Sequence, residues 1–302
     1  MINTALIIGY GLIAQKHYKS LKKIKNIDRI YIYSRRDIKY KYSINSLKDI
    51  LQVNPQYIII TSETSNHFNH LKFIVNNFKN KIILVEKPVF DKYKKIDLKK
   101  NKVFVGYNLR MHPILLFLKQ KLRNKKLLSI DITCESYLPN WRKNRNYINT
   151  TSSIKKYGGG VLLDLSHELD YTCWLFGSIS LQFVKNLKIS NLKIDTDDFL
   201  ILNAINKNKA HINISLNYFS RIPIRQILVK GEKFAILADI LKNQILLINQ
   251  KQKKKIFFNN IKDLDTYYNL HKNILSNNIK NVCSYEEGLK TMKLIEKIRN
   301  FS

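Results

Sequence analysis

Glu86-Lys87-Pro88 follows directly on the apolar run Ile82-Ile83-Leu84-Val85, so a buried strand ends in a carboxylate, an ammonium and a proline. A partly desolvated lysine beside a carboxylate can hold a reacting oxygen and have its proton affinity tuned. A second set is Asp164, His167, Glu168 and Tyr171, in a segment that opens with Gly158-Gly159-Gly160 and reads as one helix to about residue 176, closed by Gly177. Asp164 and His167 are three residues apart, a spacing that keeps an acid and an imidazole on one helical face. Each set also has a plainer reading. Glu86 and Lys87 can be a pair in a strand-end turn, and an aspartate early in a helix is favoured by the dipole alone.

These residues need elements to position them. Residues 5–9 read as a strand, and Ile13, His17, Leu21 and Ile24 recur at helical spacing. Further strands read at 30–34, 57–60, 82–85 and 103–106, with helical patterns around 47–51, 68–78 and 93–98. That alternation predicts an α/β fold with a doubly wound parallel sheet. Such a sheet delivers its strand ends to a cofactor crevice, which gives the charged pair after residue 85 a purpose.

The first turn, Gly9-Tyr10-Gly11-Leu12-Ile13-Ala14, follows a strand and opens a helix. Gly9 permits the tight turn, Gly11 lets a pyrophosphate approach the backbone, and Ala14 is small enough for helix and strand to pack. Leu12 and Ile13 bring the helix N-terminus to the anion. After the second strand comes Ser34-Arg35-Arg36, a hydroxyl and two cations suited to a 2′-phosphate, so NADP is the expected cofactor. Asp37, one residue further, keeps NAD open.

Composition bounds the alternatives. The chain has 302 residues, and 53 Lys+Arg against 22 Asp+Glu give a net charge of +31. The lysines are spread over almost every segment and accompany an excess of Ile, Asn and Tyr, so A/T-rich codon usage accounts for the charge. No specific nucleic-acid partner is expected, because no recognised motif concentrates it. No apolar run approaches the roughly 20 residues that span a bilayer, and the early first strand leaves no room for a leader, so a cytoplasmic protein is expected. Cys134, Cys173 and Cys283 are widely separated and odd in number, which suggests neither a disulfide framework nor a metal site.

Glu86-Lys87-Pro88 resembles the Glu-Lys-Pro signature of the Gfo/Idh/MocA oxidoreductases. The same family is similar at the Gly9 turn, at residues 61–67 with Thr61, Ser62 and His67, at residues 106–113 with Arg110, and at residues 158–167. The resemblance implies an NAD(P)-dependent dehydrogenase whose Lys87 lies beside the nicotinamide, often before a cis proline, with Glu86, Thr61, Ser62 and His67 at the cofactor. It also implies that Asp164 and His167 flank the substrate, His167 exchanging the hydroxyl proton while hydride moves to or from nicotinamide carbon 4. The family separates that acid and imidazole by four residues rather than three. Tyr171, one turn further on, is the fallback.

A second domain is expected from residue 119, giving a dinucleotide-binding domain over 1–118 and a substrate-binding α+β domain over 119–302. Its strands read at about 181–187, 197–205, 209–218, 224–231, 234–239 and 244–258, an open and largely antiparallel sheet, with Lys253-Lys254-Lys255 as a solvated hairpin turn. Family members commonly pair such sheets, which implies a homodimer or homotetramer. Leu289, Met292, Ile295 and Ile298 mark a closing amphipathic helix. Residues 137–147 interleave aromatics and cations and resemble a segment of members from bacterial surface-glycan gene clusters. Tyr137, Trp141, Arg142 and Tyr147, with Arg110 and Tyr171, are the expected substrate contacts, since aromatic faces suit sugar C–H surfaces and arginine suits a carboxylate or phosphate. The expected activity interconverts a secondary alcohol and a ketone on a sugar derivative. The alternative is a noncatalytic dinucleotide-binding sensor or scaffold.

Overall fold

Residues 57–60, Tyr-Ile-Ile-Ile, are completely buried, as a strand covered on both faces by helices requires. They are the middle of a parallel sheet in the computed structural model, which describes residues 2–142 and 144–301. In chain order this unit begins with β1 (Thr4–Ile8), α1 (Leu12–Leu21), β2 (Arg29–Tyr33), β3 (Ser43–Ile44), α2 (Ile50–Val53), β4 (Tyr57–Ile60), α3 (Thr64–Asn77), β5 (Ile82–Val85) and β6 (Lys102–Val105). The parallel ladders pair β1 with β2 and β4, and β5 with β4 and β6. The expected helix at 93–98 does not form. The Ile96 amide instead donates to the Tyr285 hydroxyl at 3.0 Å, and the Lys94 ammonium sits 4.9 Å from the centre of the Phe68 ring. Tertiary partners therefore override the local helical spacing.

The second unit opens with α4 (Pro113–Lys121) and β7 (Leu127–Tyr137), then α5 (Val161–Asp164) and α6 (Ser166–Phe176). Seven strands follow: β8 (Ile179–Leu187), β9 (Phe199–Asn206), β10 (His211–Asn217), β11 (Phe219–Gly231), β12 (Phe234–Asp239), β13 (Gln244–Asn249) and β14 (Lys253–Phe257). The sheet order is β14-β13-β12-β11-β7-β10-β9-β8. All neighbours are antiparallel except β7 and β10, which run parallel. Alternate residues such as Leu200, Leu202 and Ala204 are buried while their neighbours are not, the period of a sheet with one covered face. Lys253, Lys254 and Lys255 are not a turn but part of the edge strand β14, paired with Ile248, Leu247 and Leu246. Lysines on an edge strand discourage pairing with another chain.

The chain then re-enters the first unit with α7 (Asp263–Leu275), β15 (Cys283–Ser284) and the start of α8 (Tyr285–Arg299). The seven-stranded order is β15-β6-β5-β4-β1-β2-β3, with β15 antiparallel to β6. Leu270, Ile274 and Val282 share a core with Ala5, Ile7, Tyr57, Ile59 and Leu84. The compact units are therefore residues up to Met111 with Lys262–Met292, and His112–Ile261 with the residues from Lys293 onward. A single cut at residue 119 takes no account of this return. Among the described residues no helix is long and apolar enough to cross a membrane.

Candidate active site

In the first unit the turn after β1 is built for a backbone-bound anion. Gly9 has φ +96°, and a Cβ there would lie 2.9 Å from the Ser62 backbone nitrogen, so both conformation and closeness demand glycine. Nothing lies within 4 Å of where a Gly11 Cβ would be. Gly11 precedes α1 without any side-chain cap, and the first turn of the helix, starting Leu12-Ile13, carries no acidic residue. Open space, uncapped amides and the positive end of a ten-residue helix together suit a pyrophosphate.

Neighbouring loops frame this turn. The Thr61 hydroxyl lies within hydrogen-bond reach of the Ile8 and Gly9 carbonyls at 3.1 and 3.2 Å. The Ser62 hydroxyl is 2.9 Å from His70 Nδ1. His67 is buried, with Nδ1 3.0 Å from the Pro88 carbonyl and Nε2 3.0 Å from the Ser62 carbonyl. It braces two loops against each other rather than presenting a nitrogen to a cofactor. After β2, Ser34 is buried and its hydroxyl accepts from the Arg36 amide at 3.1 Å. The Arg35 guanidinium donates to both carboxylate oxygens of Glu63, at 3.0 and 3.1 Å. Burial pulls the Glu63 carboxyl upward, but a backbone hydrogen bond, then Asn66 and Arg35, hold it below the usual range.

The turn after β5 carries the charged pair. The Lys87-Pro88 peptide is cis. Glu86 is buried and turned inward, accepting the Lys87 amide at Oε2 (3.2 Å) and facing His17 Nε2 at Oε1 (2.9 Å). Lys87 itself is half-buried. Arg110 is not a substrate contact: it is only 3% exposed and donates to Glu287 at 2.9 Å. A buried guanidinium needs that carboxylate.

In the second unit the expected single helix is broken. Leu165 has φ −96° and ψ 24°, ending α5 at Asp164 and starting α6 at Ser166. Asp164 and His167 thus lie on either side of a helix break and not on one continuous face. The Asp164 carboxylate accepts from the Tyr218 hydroxyl at 2.7 Å. Glu168 and Tyr171, expected beside them, are instead fully buried. Arg225 donates to Glu168 through Nε at 2.7 Å and approaches it through a terminal nitrogen at 2.6 Å. Burial, and then the Glu168 charge, raise the Tyr171 hydroxyl well above its ordinary value. Tyr171 is therefore a core residue and loses its place as fallback.

The aromatic and cationic loop is also in this unit. Leu138, Pro139, Trp141, Arg142, Arg145 and Tyr147 line most of a small, partly open concavity. Trp141 meets the buried Tyr218 edge-on at 5.1 Å and donates from Nε1 to Ser136 at 2.7 Å. The Tyr147 hydroxyl accepts from the Lys193 amide at 3.2 Å. Tyr137 lies outside the concavity lining, its ring covered by the Arg221 guanidinium at 3.6 Å. Tyr218 links Asp164 to Trp141 and was missed by sequence reasoning, because it reads simply as one more apolar residue at a strand end. His17 and His271 were missed too; only the unexpected polarity of a histidine on an apolar helix face marks them.

Comparison with known proteins agrees with the fold. Residues 4–102 match the Gfo/Idh/MocA oxidoreductase family model, described as an NAD-binding Rossmann fold. No curated protein matches the chain. Among solved structures, the UDP-N-acetylglucosamine 3-dehydrogenase GnnA of Acidithiobacillus ferrooxidans is 16% identical, with 99% of this chain and 97% of that one covered at a TM-score of 0.81. The dehydrogenase MviM of Clostridium difficile is 19% identical, with 99% of each chain covered and a TM-score of 0.78. Levoglucosan dehydrogenase in complex with NADH is 14% identical, with 98% and 96% covered and a TM-score of 0.84. At these identities the structures share the fold. Residues 4–102 thus match the NAD-binding Rossmann fold of the Gfo/Idh/MocA oxidoreductases, and the solved structures share the fold along nearly the whole chain.

Proposed function

We propose that the protein is a dehydrogenase of a sugar derivative carrying an anionic group, a nucleotide, phosphate or carboxylate, and that it works with NADP. The observation that carries the substrate class is the concavity in which Trp141 and Tyr147 stand with Arg142 and Arg145. Aromatic faces cover apolar sugar surface, and guanidinium groups pair with oxyanions. The named activity of the Acidithiobacillus ferrooxidans protein, on UDP-N-acetylglucosamine, is of the same class, and a role in surface-glycan synthesis fits it.

The cofactor, when bound, supplies the nicotinamide that accepts or donates hydride. The uncapped first turn of α1, behind Gly9 and Gly11, would hold its pyrophosphate, and Ser34, Arg35 and Arg36 its 2′-phosphate. Lys87 is assigned to hold the reacting oxygen, its charge stabilising the alkoxide character that develops there. His167 is assigned the hydroxyl proton. Asp164, oriented by the Tyr218 hydroxyl, is assigned to the substrate beside it. Incubating the protein with NADP⁺ or NAD⁺ and either UDP-N-acetylglucosamine or free N-acetylglucosamine tests this. Reduced nicotinamide should form with the nucleotide sugar, and Arg142→Ala with Arg145→Ala should raise KM far more than it lowers kcat. Equal activity on the free sugar, untouched by those substitutions, would refute the anionic substrate class.

A further inference from the structure

Four buried groups of the first unit, drawn from β4, α7, α1 and the turn after β5, form a continuous hydrogen-bonded chain. The Tyr57 hydroxyl is 2.8 Å from His271 Nδ1, His271 Nε2 is 2.8 Å from His17 Nδ1, and His17 Nε2 is 2.9 Å from Glu86 Oε1. Tyr57, His271 and His17 have no exposed surface at all, and Glu86 has 7%. We propose that Tyr57, His271 and His17 are positioning residues: a one-way chain of hydrogen bonds, running from the Tyr57 hydroxyl to the Glu86 carboxylate, fixes both imidazole tautomers and locks the carboxylate that holds the Lys87 amide.

The direction follows from counting donors. A neutral imidazole has one donor and one acceptor. Glu86 already accepts the Lys87 amide at Oε2. With Oε1 also accepting, a neutral His17 donates from Nε2 and accepts at Nδ1. His271 then donates from Nε2 and accepts at Nδ1, and the Tyr57 hydroxyl donates. Every ring nitrogen is used once. With both rings neutral, reversing the chain would require a donor on Glu86 and leave the Tyr57 proton without an acceptor among the described residues. Two further facts fit this direction. Burial raises the Tyr57 hydroxyl well above its ordinary value, so it keeps its proton, and burial with the neighbouring His17 lowers His271 well below its own, so it stays neutral.

The surroundings are shaped for Glu86. A Cβ on Gly106 would stand 2.5 Å from Glu86 Oε1, so only glycine leaves that oxygen its place. Tyr267 of α7 packs edge-on against His17 at 5.0 Å, and Lys16 sits 5.6 Å from the Tyr267 ring centre. The chain thus gives α7 a function as well as a core face: it carries His271 to α1, β4 and the end of β5.

The inference rests on the reading that Lys87 works at the reacting oxygen, but its first test does not. In the full-length protein labelled with ¹⁵N-histidine, NMR near neutral pH should show His17 and His271 neutral, each protonated on Nε2. A proton on Nδ1 of either ring, or an imidazolium, overturns the chain. Tyr57→Phe removes only the donor at the start and should give His271 a mixture of tautomers. In the same variant kcat should fall about tenfold, within the cost of a small misplacement of a reacting group, with little change in cofactor KM. His271→Leu should fall as far or further, and His271→Gln, which keeps a donor for His17, should recover most of the loss. Gly106→Ala, which displaces Glu86 without touching the rings, should mimic His271→Leu in kcat. Tyr57→Phe with wild-type kcat reduces the chain to packing and ends the proposal. Correct tautomers in a protein that turns over no sugar would instead sink the dehydrogenase reading and leave the hydrogen-bond assignment standing.

Discussion

Replacing Glu63 by glutamine should tighten NADP(H) binding. The Arg35 guanidinium is the strongest candidate for the 2′-phosphate, yet it donates to both oxygens of Glu63, at 3.0 and 3.1 Å. A bound phosphate must share or displace that carboxylate. The Arg35 side chain is 69% exposed and that of Glu63 30%, which makes this a surface pair worth up to about 1 kcal/mol. Releasing the arginine therefore costs NADP(H) at most about fivefold in affinity. An arginine hydrogen bond to a charged partner is worth about 1.5–3 kcal/mol, so the phosphate wins the exchange.

Two numbers follow. Glu63→Gln should tighten NADPH up to about fivefold and leave NADH within about twofold, since the carboxylate that competes for Arg35 is gone. Arg35→Ala should weaken NADPH by roughly ten- to a hundred-and-fifty-fold, again with little effect on NADH. Titration of both reduced cofactors by fluorescence reads these changes directly. Arg35 does not read the 2′-phosphate if Arg35→Ala weakens both cofactors alike, or if wild-type protein prefers NADH and Glu63→Gln changes nothing.

Three further outcomes are expected. Lys87→Met and His167→Ala should each lower kcat by about two orders of magnitude or more, with the double variant losing less than the product of the two; steady-state kinetics in which either variant keeps wild-type kcat would remove that residue from the mechanism. Arg225→Met leaves the fully buried Glu168 without its guanidinium and should cost about 3–5 kcal/mol in urea unfolding, whereas Arg225→Met with Glu168→Leu should restore most of it; equal loss in both would mean that the pair is not what matters. Stability should also fall as pH drops from 6.5 towards 4, because burial lowers His70 and His112 from 6.5 to about 4. The folded pKa lies below the unfolded one, so the unfolded chain takes the proton first and stability is lost as pH falls; a urea midpoint that stays flat across that window would contradict it.

Much of the fold is legible because its causes are local. Parallel strands buried on both faces must be apolar runs, and residues 57–60 and 82–85 are such runs. The glycine turn is legible because Gly9 has to adopt a conformation that few other residues tolerate. The errors fall where a distant partner decides. Residues 93–98 have helical spacing, but the Ile96 amide finds a hydroxyl 189 positions away. Lys253 to Lys255 look like a solvated turn because an exposed edge strand and a turn have the same polarity. Nothing in Leu165 announces that it ends a helix, so Asp164 and His167 were placed on one face by a continuity that the backbone lacks.

The site divides along the same line. Glu86-Lys87-Pro88 is visible in sequence because charge directly after a buried strand is costly unless partnered, yet the sequence does not say which member of the pair turns inward. Three residues decide it together. Gly106, at the end of the adjacent strand, leaves the space that Glu86 Oε1 occupies. His17, one helical face behind the glycine turn, meets that oxygen at 2.9 Å. His271, 254 positions from His17, completes the ring's second hydrogen bond. Without the third, His17 is a buried polar group half satisfied, and the carboxylate oxygen it faces is held by a ring whose own orientation is free. The return of α7 to the first unit is what closes the set, and it follows that the histidine most distant in sequence from the glycine turn is the one that settles how Glu86, and through it the Lys87 amide, is held.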